Sequence, residues 1–334
     1  MTPEAREVFK RILSDTSRSF YVGIQALKPE TQDTVCLGYL FCRLLDIVED
    51  ATSVDSTIRK DLLIGLRSFL ETLPQHSDSR IAAIDLFEER KLQTVDLFES
   101  YFQSNSHEAE LYAKSKRLLE EISTLSLINR KIFNTTLNDM ARGMIQSVDA
   151  SKGKPFKADD LDQYCYFVAG TVGLFLTQVF WDSECFSHKA PLSTLEEEGI
   201  AFGKALQLVN ISKDFHKDWK ENRYYWPHLS EEDLQSTTPP QASTLNKSFE
   251  AILALFDSYA TKADEYISHL TDSRPDVKFF CEFPLEMAKA NMALARKDRN
   301  WLYQGGEPKL SKIETIKIAQ KLSLKNEIPN ILEE

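Results

Sequence analysis

The sequence predicts an all-α protein, on three observations. Apolar residues recur at three- and four-residue spacing through most of the chain. Only 11 Gly and 12 Pro punctuate 334 residues, too few for a turn-rich β fold. No stretch alternates apolar and polar residues as a ladder of strands would, and no repeat of solenoid length is present. In chain order, residues 4–14 place Ala5, Val8, Phe9, Ile12 and Leu13 on one stripe. Residues 31–50 carry Val35, Leu37, Leu40, Leu44, Leu45 and Val48 without a Pro or a late Gly, so a helix is expected to run to Asp50. Residues 55–70 are amphipathic and stop near Pro74. Residues 81–103 and 108–126 mix charge and apolar positions as solvent-facing helices do. Residues 129–148 form the next run, ended by SKGKP at 151–155. Ala158-Asp159-Asp160 supplies a cap for a helix over 161–181. Runs over 194–218, 244–270, 281–300 and 312–322 bring the total to about ten helices. The loop-like stretches 222–240, with two consecutive prolines, and 304–308 are too short for linkers, so residues 1–334 read as a single domain.

Composition narrows the function. The net charge is −11 and the pI about 5.2, which removes the basic surface needed to grip nucleic acid or an anionic membrane. Hydrophobic residues at 42% with charged residues at 27% suit a globular protein with a proper core. Five cysteines, odd in number and without a CxxC pair, argue against a disulfide framework or a structural zinc site and for a reducing compartment. The N-terminus, MTPEAREVFKRIL, has no apolar core of a secretory signal. The longest apolar stretch, Phe167 to Trp181, is broken by Thr171, Thr177 and Gln178 and falls short of the roughly 20 residues that span a bilayer. No transmembrane segment is expected, and the chain is placed in the cytoplasm or peripherally at a cytosol-facing membrane.

The sharpest feature is Asp46-Ile-Val-Glu49-Asp50. The three acids stand at i, i+3 and i+4, so they share one helix face and repel. No Lys or Arg stands at the following i+4 positions to relieve them, and the run follows directly on the apolar segment YLFCRLL. Tyr39 and Arg43 precede them on the same face. A second polar stripe, Gln207, Asn210, Asp214 and Asp218, marks one face of a helix whose other face offers Leu206, Val209, Ile211 and Phe215. One acidic triplet alone reads as a solvated face. Two such clusters on otherwise apolar helices read as hard oxygen ligands. Brought together, they would supply five carboxylates and two amides, a donor set for Mg²⁺ (Mn²⁺ is an acceptable substitute) and not for Zn²⁺. The six histidines show no HxxxH or HExxH pattern, and His216 lies on a different face from Asp214 and Asp218. Carboxylates and metal still need cations to hold an anionic substrate. Arg18, in Ser17-Arg18-Ser19-Phe20, and Arg43 stand near the first cluster, and Lys213, Lys217 and Arg223 near the second. Neither GxxxxGK[ST] nor GxGxxG occurs, so phosphate is not cradled by a P-loop or a Rossmann turn. Metal-carboxylate patches at the rim of an apolar helical cavity suit a lipophilic diphosphate.

Five segments then carry a resemblance: TSRSFYVGIQAL (16–27), YLFCRLLDIVED (39–50), YCYFVAGTVG (164–173), LVNISKDFHKDWKENRYYWP (208–227) and FFCEFPLEMA (279–288). In this order they resemble the squalene/phytoene synthase family, and within it the squalene-forming members. The resemblance implies an all-α isoprenoid-synthase fold around a central cavity and condensation of two farnesyl diphosphates. Asp46, Glu49, Asp50, Asp214 and Asp218 would then be metal ligands. Ser17, Arg18, Ser19, Arg43, Gln207, Asn210, Lys213 and Arg223 would contact diphosphate. Tyr39, Tyr164 and Arg43 would serve catalysis. Phe20, Val168, Gly170, Gly173, Phe280 and Pro284 would line the pocket, with close helix packing as an equal reading for the glycines and for Pro284. NADPH would supply hydride for the final reduction, with Lys309 and Lys312 at its site. The segment 305–315, GGEPKLSKIET, holds only these two cations where squalene-forming members are more basic, and Lys213 stands where arginine is commoner. The alternatives are a synthase stopping at presqualene diphosphate, dehydrosqualene or phytoene, and a non-catalytic helical assembly factor, against which the two intact acidic clusters speak. A monomer is expected, with transient membrane contact to release an apolar product.

Overall fold

The computed structural model describes residues 1–150, 156–187, 189–234 and 240–328, with the backbone alone at 18, 19, 149 and 150. The helix stop expected at 151–155 lies outside the described residues. Among those described, secondary structure is helical apart from one isolated antiparallel bridge between Phe186 and Leu270. Two compact units are present: Met1–Val148 with Phe175–Glu184, and Asp149–Leu174 with Cys185–Glu334.

The first unit contains α1 (Pro3–Thr16), α2 (Arg18–Ala26), α3 (Pro29–Asp50), α4 (Ser56–Thr72), α5 (Ser77–Thr94), α6 (Glu99–Ser104), α7 (Ser106–Ala113), α8 (Ser115–Ser123), α9 (Leu127–Ile132) and most of α10 (Asn138–Ala150). Its axis is α3, which buries Val35, Leu37, Leu40, Phe41, Leu44, Leu45, Ile47 and Val48, a helix apolar on nearly every side. Phe41 lies 6.3 Å from Phe69 and 6.4 Å from Phe133, and Phe133 meets Phe175 edge-on at 4.9 Å. Each fully buried ring stabilises the fold by up to about 3 kcal/mol.

The second unit contains α11 (Ala158–Cys165), the start of α12 (Thr171–Asp182), α13 (Leu192–Lys213), α14 (Phe215–Lys220), α15 (Glu231–Leu234), α16 (Ala242–Ser268), α17 (Pro275–Lys297), α18 (Trp301–Gln304) and α19 (Lys312–Lys325). Here α13 is the central element and packs along α16. Trp226 stacks on Phe249 at 6.0 Å, and Phe249 meets Trp301 edge-on at 5.3 Å. Two glycines allow the chain before and within α12 to press on α13. A Cβ on Gly173 would stand 1.9 Å from the Gly199 carbonyl oxygen, and one on Gly203 would stand 2.1 Å from the Ala169 carbonyl oxygen. Backbone cannot move aside as a side chain can. Gly173→Ala is therefore expected to cost at least the roughly 1–3 kcal/mol typical of overpacking, read as a fall in Tm, whereas Gly65→Ala, whose nearest neighbour is the Phe87 ring at 3.3 Å, costs less.

Several helix boundaries follow the sequence reading, but α17 starts at Pro275 and not at 281, α2, α15 and α18 fall in no expected run, and the long runs are broken. Nineteen α-helical segments stand among the described residues where about ten are predicted. Several interruptions coincide with a Thr or Asn side chain donating to a backbone carbonyl one turn back. Thr94 Oγ1 donates to the Arg90 carbonyl where α5 gives way to a 3₁₀ turn over Val95–Phe98. Asn105 Nδ2 donates to the Tyr101 carbonyl at the end of α6. Thr135 and Thr136 donate to the carbonyls of Lys131 and Ile132 where the chain widens into a π turn over Phe133–Leu137. Thr171 donates to the Phe167 carbonyl at a second π turn, Tyr166–Gly170. The cap expected from Ala158-Asp159-Asp160 is present, with Asp160 accepting from the Lys157 N–H at 2.9 Å. All five cysteines are buried. The apolar run at 167–181 sits inside a longer helical run, Ala158–Asp182, which by length and composition alone is apolar enough to cross a membrane.

Candidate active site

Within the first unit the junction of α1 and α2 packs against α3 and brings together residues far apart in sequence. Ser17 caps α2, its Oγ accepting the Phe20 N–H at 3.4 Å. The Phe20 and Tyr39 rings lie 5.3 Å apart. Burial raises the Tyr39 phenol above its ordinary range, against the pull of Arg43 and of hydrogen bonding with Ser17 and Thr16. The phenol thus stays protonated and can donate. The side chains of Arg18 and Ser19 lie outside the described residues.

One and two turns on along α3 come Arg43 and Asp46. Their ion pair is long at 3.5 Å, and the Arg43 Nε–H is buried with no hydrogen-bond partner among the described residues. The guanidinium therefore has donor capacity left for an anion. Asp46 keeps 32% of its side-chain surface, yet it is recessed. Loss of water, with Asp50 and Glu108 adding like charge and Arg43 opposing, pushes its carboxyl up to about 7. Glu49 is buried, and its Oε1 accepts from Ser147 at 3.2 Å; Asp50 is half-buried.

A helix C-terminus already carries partial negative charge, so three acids in its last turn, with no basic residue among them, are an electrostatic cost. The compensation comes from Arg59, which is 1% exposed. Its Nη1 donates to the Glu49 carbonyl at 2.6 Å and its Nε to the Val54 carbonyl at 3.1 Å, placing a buried cation on the end of α3. No signal in the sequence marks Arg59 apart from other amphipathic positions. Glu108 and Tyr101 were equally invisible. Glu108, 2% exposed in the first turn of α7, accepts from Arg43 and, at 2.5 Å, from the Tyr101 hydroxyl.

In the second unit the polar stripe crosses a break. The single helix expected over 194–218 ends at Lys213, and Asp214 is the joint to α14 with ψ near 4°. The four-residue rhythm survives, because Asp214 N–H donates to Asn210 and Asp218 N–H to Asp214, each at 2.8 Å. Asp214 is exposed, while Asp218 is buried and pairs with Arg223 at 3.0 Å. Arg223 also meets Glu221 at 2.7 Å. Lys213, Lys217, Arg223 and Glu307 all stand close enough to bear on the Asp214 charge. Gln207 and Asn210 make a 3.5 Å contact with each other. His216 is occupied elsewhere, its Nε2 lying 2.6 Å from the Trp301 carbonyl.

Tyr164 stacks on Tyr225 at 4.5 Å, and Phe156 meets both edge-on, an aromatic group of which the sequence reading named only Tyr164. Val168 and Gly170 fall in the π turn that follows. Of the two readings open for the glycines, the close approach of Gly173 to the Gly199 carbonyl supports packing. Gly170 likewise presses on Ile200, where a Cβ would stand 3.2 Å from Cγ2. Phe280 is buried and Pro284 half-buried inside α17. Lys309 and Lys312 are exposed, and Lys309 lies 3.6 Å from Glu307.

The donor set at both clusters is oxygen throughout, which fits Mg²⁺. Among the described residues no three His, Cys, Asp or Glu side chains converge into a ready-made metal shell. Mg²⁺ tolerates that, since it is commonly held by one or two carboxylates with water and substrate phosphate completing the octahedron. The raised Asp46 carboxyl is the second sign of fit: a recessed acid among like charges is what a divalent cation would relieve. The 305–315 segment carries a weaker sign of fit to NADPH, because Glu307 offsets part of the charge of Lys309.

Known proteins resemble this chain over most of its length. The family description "Squalene/phytoene synthase" matches residues 13–314. "Squalene synthase BSS" of Botryococcus braunii is 29% identical over 303 residues, covering 87% of this chain and 59% of that protein. "Squalene synthase" of Bos taurus is 27% identical, covering 85% and 62%. The chain thus spans about three fifths of the length of these curated relatives. Among solved structures, a ligand complex of TcSQS aligns with TM-score 0.70 at 23% identity, over 97% of this chain and 89% of that one. A dehydrosqualene synthase complex aligns with TM-score 0.59 at 17% identity, over 97% and 98%. These likenesses establish the all-α isoprenoid-synthase fold.

Proposed function

Because the chain belongs to the squalene/phytoene synthase family, we propose that it condenses two farnesyl diphosphates head-to-head in a Mg²⁺-dependent reaction, as a prenyltransferase. The observation that carries this reading is the end of α3: three acids, a recessed Asp46 and an Arg43 with donors to spare, one turn apart on one helix. Asp46, Glu49 and Asp50 would hold metal on one diphosphate, and Asp214 with Asp218 would do so at the second cluster. The bound metal would supply positive charge to the departing diphosphate.

The chain's own groups do the rest. Arg43 donates to phosphate oxygens as charge builds on the leaving group, and Lys213 and Arg223 serve the second cluster. Tyr39, kept protonated by its burial, donates to a leaving oxygen. The stacked faces of Tyr164 and Tyr225 steady the allylic cation. Attack by the acceptor's double bond and loss of one proton give presqualene diphosphate. Apolar surroundings keep water from trapping the cation. The homologues named squalene synthase support continuation to squalene, for which NADPH would provide hydride. One observation favours the shorter reading, a product formed without reduction: Glu307 offsets Lys309 in the only basic segment assigned to that cofactor.

A product assay tests both. Purified protein with farnesyl diphosphate and Mg²⁺, with and without NADPH, is extracted and resolved by gas chromatography–mass spectrometry after phosphatase treatment. Squalene formed only with NADPH is the expected result. Presqualene or dehydrosqualene products regardless of NADPH would select the shorter reading. Absence of any turnover of farnesyl or geranylgeranyl diphosphate would overturn the proposal.

A further inference from the structure

We propose that Glu108 is a positioning residue that fixes the guanidinium of Arg43 for anion binding, and that Tyr101 holds Glu108 in place; the inference rests on the reading of Arg43 as a diphosphate contact. Each oxygen of the Glu108 carboxylate has its own donor. Oε1 accepts from Arg43 Nη2 and Oε2 from the Tyr101 hydroxyl. The carboxylate is 2% exposed, and among the described residues its other cationic neighbour is the His107 ring, Nε2 at 3.6 Å, which is charged only when protonated. A buried charge of this kind depends on its partner, so Arg43 is the group that balances it.

The other end of the fork is different. Arg43 is 28% exposed, its Nη1 reaches Asp46 only at 3.5 Å, and its Nε–H has no partner among the described residues. One edge of the guanidinium is thus clamped by a buried acceptor while the remainder keeps unspent donors beside the acidic helix end. An unclamped arginine loses rotamer entropy when it is ordered by a ligand. Clamping it beforehand removes much of that cost from binding. The clamp also links the first turn of α7, where helix polarity favours a carboxylate, to the last turns of α3, where it does not.

The test is a double-mutant cycle on the full chain. Arg43→Gln, Glu108→Gln, the double variant and Tyr101→Phe are compared in two readouts: affinity for inorganic pyrophosphate with Mg²⁺ by calorimetry, and kcat/KM for farnesyl diphosphate. Glu108→Gln is expected to weaken pyrophosphate binding about tenfold to a hundredfold, as loss of an outer partner commonly does. Tyr101→Phe, which removes one hydroxyl and keeps the ring, is expected to weaken it less and keeps the test open if Glu108→Gln folds poorly. The double variant should bind no worse than Arg43→Gln alone, because Glu108 acts only through Arg43. Wild-type affinity in both Glu108→Gln and Tyr101→Phe, or losses that add in the double variant, would overturn the positioning role. If the wild type bound pyrophosphate with this coupling but turned over no prenyl diphosphate, the proposed reaction would fall and the clamp would stand.

Discussion

Asp46→Asn is expected to lower kcat/KM for farnesyl diphosphate by about a hundredfold to a thousandfold or more, the scale of losing one well-placed electrostatic contact to a transition state, while raising the Tm of the metal-free protein at pH 8. The two halves have one cause. In the folded protein the Asp46 carboxyl is pushed up to about 7 from an ordinary value of 3.8. The native state therefore holds the proton more tightly than the unfolded chain does. Well below pH 3.8 both states are protonated and nothing is lost, and at pH 4 little is. As pH rises from there to 7 the unfolded chain ionises first, and above 7 the folded state carries a poorly solvated charge at full cost. A neutral isostere removes that cost. The gain is discounted to about 1–2 kcal/mol because a third of the side chain still meets water. Thermal unfolding followed by circular dichroism at pH 8 and pH 4 checks it: the stabilisation should be present at the former and largely gone at the latter. Mg²⁺ should raise the Tm of the wild type more than that of the variant. A variant that turns over normally would remove Asp46 from the metal site. One that is inactive and unstable at both pH values would show a structural role instead.

Arg59→Met is expected to destabilise the first unit by about 2–4 kcal/mol, since two buried carbonyls, those of Glu49 and Val54, lose a charged donor at once. Methionine fills much of the same volume, so the loss is not one of packing. The cation also offsets the acidic end of α3, and its removal should make the deficit larger at pH 8 than at pH 5, where the Asp46 carboxyl, pushed up to about 7, is less ionised. Urea unfolding at both pH values, with and without Mg²⁺, reads this directly. Partial recovery by Mg²⁺ would show that a second cation can do the work of the guanidinium. Equal loss at both pH values, unaffected by Mg²⁺, would leave the two carbonyl bonds as the whole effect.

Much of this protein was legible without coordinates because helical amphipathicity is local information. The stripe over residues 31–50 predicted α3 to within two residues, and the incongruity of three acids on that apolar stripe pointed at its own last turn. The family resemblance drew on the same short segments. Helix interruptions were harder. The Thr hydroxyls and the Asn side chain at Phe133–Leu137, Tyr166–Gly170 and the end of α6 are visible in the sequence, but the same residues sit harmlessly in many helices. The break at Asp214 was missed for another reason: the four-residue rhythm continues across it.

By itself, then, the sequence determined the helical class, the apolar faces and the two acidic clusters, each set by neighbours within a turn or two of chain. Tertiary structure alone decided what balances those clusters. Arg59 reaches back from the next helix, and Glu108 meets Arg43 across 65 residues of chain. Tyr225 lies on Tyr164 from a loop 61 positions on, and Gly173 yields its space to the backbone of Gly199. A charge or a contact surface has no preferred partner until burial removes water and packing fixes distance. Those partners are therefore properties of the folded chain.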